Sequence, residues 1–308
     1  MANLSFKLAI VDIIKHLTLG GKKMRNYSSI RLEVTSQCNL KCEYCHNSEY
    51  SNRKDDMTTE EILQLIRNIK QRYPINKILL TGGEPLVNKD ICRIIEQISK
   101  LGIKADLVSN GTLLTEELIR KLEASGLKRI RLSIDEIGEV SGLRSTANPN
   151  EIWNVAKMIR NVSNIEVCIH TVCSPTNVTQ LFDVYLKTLD VGAKRWRVFD
   201  LGYQGGITEN KNKFSFDTYY DNLIESTKKI LKVDVQKALE LRMLSSPCDY
   251  VADHQLSIRS NGVATLCQYF HNAIFDFRKN SFDVEKTILS QNSVIENELT
   301  MQDLDYCS

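Results

Sequence analysis

No apolar run in this chain approaches the roughly 18 residues that a membrane span requires. The nearest candidate, Leu8-Ala9-Ile10-Val11-Asp12-Ile13-Ile14, is broken by Asp12 and followed by Lys15 and His16. It lacks the uninterrupted core and small-residue cleavage site of an export signal and reads instead as an amphipathic helix. Charge of neither sign is in surplus: 40 Lys and Arg stand against 38 Asp and Glu, a net charge of +2. Bulk electrostatics therefore argue neither for nor against a nucleic-acid partner, and the short cluster Lys22, Lys23 and Arg25 reads as a solvated turn. Internal repeats, low-complexity tracts and long linkers are also missing. What is left is an ordinary globular composition, 42% apolar and 25% charged. At 308 residues the chain is long enough for one barrel-sized core plus an extension.

Cysteine is the residue in unusual supply. There are nine, an odd number, in a chain without an export signal, which fits a reducing cytoplasm where thiols serve metals. Cys92, Cys168 and Cys173 are scattered and read as small buried apolar residues, with Cys173 the one to watch. Cys38, Cys42 and Cys45 form C-x3-C-x2-C directly after the apolar run Ile30 to Val34. Three thiolates this close cannot all pair as disulfides. They can hold three corners of an iron–sulfur cubane, which leaves the fourth iron open.

Downstream the chain alternates. Thr58 and Glu61 make a capping-box start for a helix carrying Ile62, Leu65, Ile66 and Ile69. Lys77 to Thr81 is a strand ending in Gly82-Gly83-Glu84-Pro85. A helix around Ile91 to Ile98 precedes the strand Ala105 to Ser109, which ends in Asn110-Gly111. A helix over Thr115 to Ala124 precedes the strand Arg129 to Ile134, which ends at Asp135. Helices near 151–162 and 177–189 precede strands over 166–172 and 195–199, and a further helix is expected near 216–231. Six strand–helix units predict a parallel sheet with helices outside. Six fall short of the eight of a closed barrel, so the expected fold is α/β: a partial (β/α)6 TIM-type barrel. Each unusual short motif falls at the C-terminal end of a strand, where barrels place their chemistry. From Ser245 the pattern changes. A helical stretch over 233–244 gives way to Gln255–Arg259, an Asn261-Gly262 turn and Val263–Cys267, which reads as a hairpin. The expected units are an N-terminal helical extension (1–29) covering a barrel opening, the barrel (30–234), and a small α+β C-terminal domain (235–308).

The cysteine loop, with an aromatic residue before its third cysteine, together with Gly82 to Pro85, resembles the signature of the radical S-adenosylmethionine enzymes. The resemblance runs from about Ile30 to Phe199. It implies a [4Fe–4S] cluster on Cys38, Cys42 and Cys45 whose open iron binds S-adenosylmethionine. One electron then cleaves the sulfonium, and the resulting 5′-deoxyadenosyl radical takes a hydrogen atom from substrate. It further implies that Gly82, Gly83, Glu84 and Pro85 bind the methionine amino group, and that Ser109 and Asn110 contact the ribose or sulfonium region. Ser133 and Asp135 would lie near the ribose, Arg144 would pair with the methionine carboxylate, and Tyr44 would line the adenine pocket.

The C-terminal part resembles the SPASM/Twitch extensions that carry an auxiliary iron–sulfur cluster. Cys248, Gly262 and Cys267 give C-x13-G-x4-C, and Cys307 suits a third ligand. The pattern is incomplete: further cysteines expected after Cys307 are missing, so the auxiliary cluster has an open iron, is absent, or belongs to a longer chain. His254 and His271 are alternative ligands. The implied function is hydrogen abstraction from a peptide or natural-product substrate, leading to oxidation or cross-linking. Its expected partners are a reductant such as flavodoxin or ferredoxin and a separate leader-peptide-binding protein, because 29 residues before Ile30 are too few for a leader-binding domain. Two rivals are a GTP-cyclase-like cofactor enzyme and a non-enzymatic iron–sulfur sensor or scaffold. Asp200 and Tyr203, at the end of the sixth strand, are candidates to deprotonate or hold substrate. Cys173 is a candidate hydrogen-atom donor, and His170 could point into the barrel.

Overall fold

The computed structural model describes residues 28–139, 143–144, 146–201, 215–234, 239–242, 255–265, 273 and 275–282. The N-terminal helix expected before residue 28, and Tyr203, Cys248, His254, Cys267, His271 and Cys307, lie outside the described residues. Strand β1 (Ser29–Glu33) is followed by helix α1 (Thr59–Arg72), β2 (Lys77–Thr81), α2 (Ile91–Lys100), β3 (Lys104–Ser109) and α3 (Glu116–Ala124). Then come β4 (Arg129–Ser133), α4 (Pro149–Val162), β5 (Glu166–Cys173), α5 (Leu181–Asp190), β6 (Arg195–Asp200), α6 (Tyr219–Val233), β7 (Glu240–Arg242), β8 (Gln255–Ile258), β9 (Val263–Thr265) and β10 (Phe275–Asp276). The strands form one sheet in the order β10-β9-β8-β1-β2-β3-β4-β5-β6-β7. Strands β1 to β7 each pair in parallel with the next. The two ends of the sheet are different strands, so it is open, as strict strand–helix alternation with too few units for closure requires.

Local chemistry explains the helices. The Thr58 side chain accepts from Glu61 N–H, and the Glu61 carboxylate accepts from Thr58 N–H at 2.8 Å, closing the capping box at the start of α1. Thr115 and Asn148 cap α3 and α4 with their side-chain oxygens alone, Thr115 accepting from Leu118 N–H and Asn148 from Asn150 N–H and Glu151 N–H, with Pro149 in the first turn of α4. Each helix then presents an apolar stripe to the sheet. Ile62, Leu65, Ile66 and Ile69 of α1 and Ile91, Ile94, Ile95 and Ile98 of α2 are buried in one core with Ile30, Leu32, Ile78 and Leu80 of the strands.

The strands alternate rather than being apolar throughout. Ile130 and Leu132, Val167 and Ile169, and Trp196 and Val198 face the helices and belong to that core. By the two-residue period of a strand, Arg129, Arg131 and Ser133 of β4, Glu166, Cys168 and His170 of β5, and Arg195 and Arg197 of β6 share the inner face. At its lower rim, Glu166 accepts from Arg129 at 2.7 Å and from Arg195 at 2.9 Å, and Arg195 also meets Glu240 at 2.6 Å. Asp106 of β3 is shared between Arg129 at 3.2 Å and Arg131 at 2.6 Å. Partly buried ions persist where each has a partner, and this network links β3 to β7 side by side.

Two segments differ from the sequence expectation. Residues 240–242 lie within a stretch that reads as helical, yet they form β7, because the open edge of β6 offers unpaired backbone that Glu240 to Arg242 satisfies. The hairpin built by Asn261-Gly262, with Gly262 at φ +85°, does not stand apart as a separate layer. Its first strand pairs in parallel with β1, Ser29 opposite Gln255 and Leu32 opposite Ile258, so the hairpin extends the barrel sheet at the edge that carries the cysteine loop. A turn signal specifies a hairpin but not the edge it joins. Native-state hydrogen exchange tests this: the amides of Leu256 and Ile258 are expected to exchange as slowly as those of β2, whereas faster, independent exchange would show the hairpin opening on its own.

Candidate active site

Cys38, Cys42 and Cys45 lie in the loop that leaves the C-terminal end of β1. All three are free thiols and partly accessible. The loop is a series of tight turns: Leu40 N–H donates to Cys38 Sγ at 3.4 Å, and Cys45 N–H donates to Cys42 C=O at 3.2 Å. Burial pushes all three thiols up from the ordinary cysteine value, Cys42 to about 11. Arg144 is a cation that opposes this shift at each of them. The cysteines also act on one another electrostatically, Cys42 with both Cys38 and Cys45, so they converge on a common space. This donor set fits an iron–sulfur cluster: three half-buried thiols, soft ligands in a setting that disfavours the bare thiolate and so favours a cationic partner. Among the described residues no three such groups are arranged to hold a single metal ion, and a cubane spreads its thiolates over separate irons.

Each neighbouring strand end is fastened to this loop. Gly83 N–H donates to Thr35 C=O at 2.9 Å and Glu84 N–H to Gln37 C=O at 2.8 Å. That approach is possible only without side chains. A Cβ on Gly82, which sits at φ +148°, would lie 2.1 Å from Thr35 O, and one on Gly83 would lie 2.3 Å from Gln37 O. Pro85 is buried and opens a single helical turn, Pro85–Val87. Glu84 is 1% exposed. Its carboxylate accepts from Ser109 Oγ at 2.9 Å, Asn110 N–H at 2.7 Å and Leu86 N–H at 3.1 Å, so it braces the β2 end against the β3 end. Burial nevertheless pushes it up to about 7, with those three donors acting in the opposite sense. Asn110 Nδ2 donates to Asn39 Oδ1 at 2.9 Å, and Asn39 Nδ2 donates to Thr112 Oγ1 at 2.7 Å, tying the residues between the first two cysteines to β3.

On the other side, Asp135 follows β4 with its side chain fully buried. It pairs with Arg144 Nε at 2.6 Å and Nη2 at 3.1 Å, and accepts from Val172 N–H at 2.7 Å. It also accepts a short hydrogen bond from Tyr44 OH, and the Arg144 guanidinium lies 5.4 Å from the centre of the Tyr44 ring. Burial raises the Tyr44 phenol well above its ordinary value, so it remains the proton donor. Ser133 ends β4, half-buried and opposite His170.

The structure thus brings Tyr44, Gly82, Gly83, Glu84, Pro85, Ser109, Asn110, Asp135 and Arg144 to the cysteine loop, and places Ser133 on β4 two residues before Asp135. Within the chain itself, Glu84 and Arg144 are engaged by protein groups, Glu84 by the β3 end and Arg144 by Asp135. Cys173 is a correction. It ends the same strand as His170, but an odd number of residues away, so it falls on the helix-facing side. It is fully buried in the apolar core, with its thiol pushed up to about 12 by burial, and does not face the barrel interior as a hydrogen-atom donor must. Asp200 lies exposed at the end of β6 and accepts from Tyr219 OH at 2.5 Å and from Leu201 N–H at 2.9 Å. Asn39, Thr112 and Asn177 went unnoticed in the sequence. Asn177 donates to the carbonyls of Asp135 at 2.9 Å and Val172 at 2.8 Å. For Asn39 the available signal was its place inside the cysteine motif.

Comparison with known proteins agrees with this geometry. Residues 32–183 match the model of the Radical SAM superfamily, and this segment is a Radical SAM domain. A probable GTP 3′,8-cyclase of Methanocaldococcus jannaschii is 33% identical over 172 residues, covering 55% of this chain and 57% of that protein. A PqqA peptide cyclase of Bradyrhizobium diazoefficiens is 27% identical over 189 residues, covering 59% and 49%. The chain therefore spans about half the length of these curated relatives. Among solved structures, Streptococcus suis SuiB bound to S-adenosylmethionine superposes with a TM-score of 0.71 at 17% identity, over 88% of this chain and 68% of that one. Native anSMEcpe with bound AdoMet superposes with a TM-score of 0.69 at 16% identity, over 89% and 84%. These likenesses establish the fold, the partial barrel. No helix among the described residues is long and apolar enough to cross a membrane.

Two outcomes follow from the strand-end contacts. Gly83→Ala is expected to lower stability by about 1–3 kcal/mol through steric conflict with Gln37 O, measured by denaturant unfolding; an unchanged midpoint would show that the loops need not touch. Glu84 takes up its proton near pH 7 in the folded chain and near the ordinary 4.5 when unfolded. Its contribution is therefore fully present below 4.5 and is lost as pH rises toward 7, by on the order of 3 kcal/mol. Glu84→Gln is expected to remove that component of the stability–pH profile between about pH 5 and about pH 7.5; superimposable profiles would contradict the shift.

Proposed function

We propose that this chain is an enzyme that binds a [4Fe–4S] cluster on Cys38, Cys42 and Cys45, and S-adenosylmethionine beside it, to abstract hydrogen from a peptide or natural-product substrate. The observation that carries this reading is the convergence of three free, electrostatically coupled thiols with the Gly82–Pro85, Ser109–Asn110 and Ser133–Asp135 strand ends on one rim of the barrel. Cys38, Cys42 and Cys45 would hold the cluster, and it would supply the single electron for reductive cleavage of S-adenosylmethionine. The protein's own contribution is positional. The backbone of Gly82 and Gly83 approaches closely enough to present its polar groups to an amino acid, and the cationic Arg144 supports carboxylate binding beside the thiols. Asn110 and Ser133 offer neutral polar contacts to a ribose, and Tyr44, fixed by Asp135, offers an aromatic face. SuiB has been crystallised with the precursor peptide SuiA, and the PqqA cyclase acts on a peptide by its name, which supports a peptide substrate. A GTP-like substrate is the second reading, supported by the 33% identity to the probable cyclase.

A reductant such as flavodoxin or ferredoxin, a separate leader-peptide-binding protein, a cytoplasmic location and a SPASM/Twitch-type auxiliary cluster on Cys248, Cys267 and Cys307 belong to this proposal. So does a substrate-contacting role for Tyr203; Asp200, in register with Cys173 and bonded to Tyr219 of α6, lies on the helix-facing side like Cys173. The reconstituted, dithionite-reduced protein is expected to produce 5′-deoxyadenosine and methionine, and Cys42→Ala to produce neither; no cleavage by the intact protein would remove both enzyme readings and leave a sensor or scaffold. Iron and sulfide counts separate one cluster from two. A Cys38/Cys42/Cys45 triple alanine variant retaining about four irons per chain would establish the auxiliary site, and one retaining none would remove it.

A further inference from the structure

Strand β8 and the turn after it carry buried polar groups whose hydrogen bonds are unmade. Leu256 and Ile258 belong to the helix-facing core, so by the two-residue period Ser257 and Arg259 fall on the inner face. Ser257, opposite Arg31 of β1, is buried and its hydroxyl has no hydrogen-bond partner. Arg259 is 5% exposed. Its Nη1 donates to Asn47 Oδ1 at 3.4 Å, and its guanidinium lies 3.9 Å from the centre of the Tyr50 ring. The other two nitrogens, Nε and Nη2, are buried without a partner. A buried donor left unpaired is costly, and in a cationic group more so. Nε and Nη2 form one edge of the guanidinium, and elsewhere in this chain that edge grips a carboxylate. Arg53 holds Asp55 with it at 2.7 Å for both bonds, Arg129 holds Glu166 at 2.7 and 3.1 Å, and Arg278 holds Glu61 at 3.0 and 3.3 Å. Glu33 attracts Arg259 but is committed to Arg31 at 2.9 Å, Asn47 Nδ2 at 3.3 Å and Ser260 N–H at 3.4 Å. Burial, with Arg31 and Arg53 acting in the same sense, holds Arg259 below the ordinary arginine value. An anion on the free edge would relieve that opposition.

We propose that the Nε–Nη2 edge of Arg259 receives a carboxylate of the substrate, at the junction of the C-terminal hairpin and the cysteine loop. This rests on the reading of the barrel as the place where a peptide or natural product is bound. Asn47 follows Cys45 by two residues, so the receptor flanks the cysteine rim. Arg144 and Asp135 take the β4 side of that rim and Arg259 the β1–β8 side, which gives the substrate carboxylate a receptor separate from that of the methionine carboxylate. Charge selects a carboxylate over a phosphate. Arg31 is answered by Glu33 and Arg53 by both oxygens of Asp55, which leaves one guanidinium for one negative charge. The Tyr50 ring fixes the plane of Arg259, so an in-plane carboxylate meets both donors with little further ordering. Ser257 lies two strand residues, roughly 6–7 Å, down the same face and offers its hydroxyl to a second polar group of the bound molecule.

Isothermal titration of the reconstituted full chain with N-acetylglycine, its uncharged amide N-acetylglycinamide and inorganic phosphate tests this. N-acetylglycine is expected to bind saturably at one site per chain, and the amide and phosphate about tenfold more weakly or less still. Arg259→Gln should weaken N-acetylglycine binding about tenfold or more, and Arg259→Lys by a smaller factor, since the charge is kept and the fork is lost. If Arg259→Gln does not fold, Arg259→Lys carries the comparison and must still bind more weakly than wild type. Saturating S-adenosylmethionine should leave the N-acetylglycine affinity unchanged; competition between them would put the probe in the methionine carboxylate's place and overturn the proposal. No binding of N-acetylglycine, equal binding of its amide, tighter binding of phosphate, or equal binding by wild type and the Arg259 variants also overturns it. The titrations run without S-adenosylmethionine are independent of its cleavage. Cleavage without Arg259-dependent binding would sink this inference alone, and Arg259-dependent binding without cleavage would sink the proposed function alone.

Discussion

The arrangement of the site depends on one buried carboxylate. Asp135 is removed from water and is tolerable there only with partners. It takes them from three separate parts of the chain: Tyr44 on the cysteine loop, Arg144 on the segment after β4, and the backbone N–H of Val172 on β5. Satisfying one charge therefore fastens the loop after β1 to strands on the far side of the barrel. Glu84 does the same for the near side, joining the β2 end to the β3 end. Between these two braces the thiols of Cys38, Cys42 and Cys45 are held at one rim, and Arg144 acts on all three.

The barrel divides its labour by face. The outer faces of the strands and the helix stripes make a continuous apolar core, which accounts for the fold. The inner face is largely polar and is stabilised by shared ion pairs: Arg129, Glu166, Arg195 and Glu240 close the lower rim. Moving up from that rim, Arg131, Arg197 and His170 share the inner face below the site. A molecule that filled this space with apolar side chains would be easier to fold. Keeping it polar is the kind of local conflict that marks a binding cavity.

Much of this was legible in the residues. Helical spacing, capping boxes and strand-end motifs located the elements from β1 to α6 and the parallel sheet, because those signals are local. The grouping of the cysteines with Gly82 to Pro85, Ser109, Asn110 and Asp135 followed from one rule about where barrels place their chemistry. What stayed hidden was set by pairing at a distance. Glu240 to Arg242 carries helix-forming residues, and only the open edge of β6 makes it a strand. The hairpin after Gln255 announced its turn but not its attachment to β1. Cys173 was misjudged because one step along a strand reverses the face, and the end of a strand does not reveal which face is inward. Asn39 and Asn177 are ordinary polar residues until the fold brings Asn110 and Asp135 beside them.

The central claim is that the three cysteines present a cluster with one iron open to S-adenosylmethionine. Electron paramagnetic resonance of the reduced, reconstituted protein, recorded with and without S-adenosylmethionine, tests it most directly. The account predicts a cluster signal whose g-values shift when S-adenosylmethionine is added and which is lost in Cys38→Ala. A signal indifferent to S-adenosylmethionine, or one that survives the loss of Cys38, would contradict it.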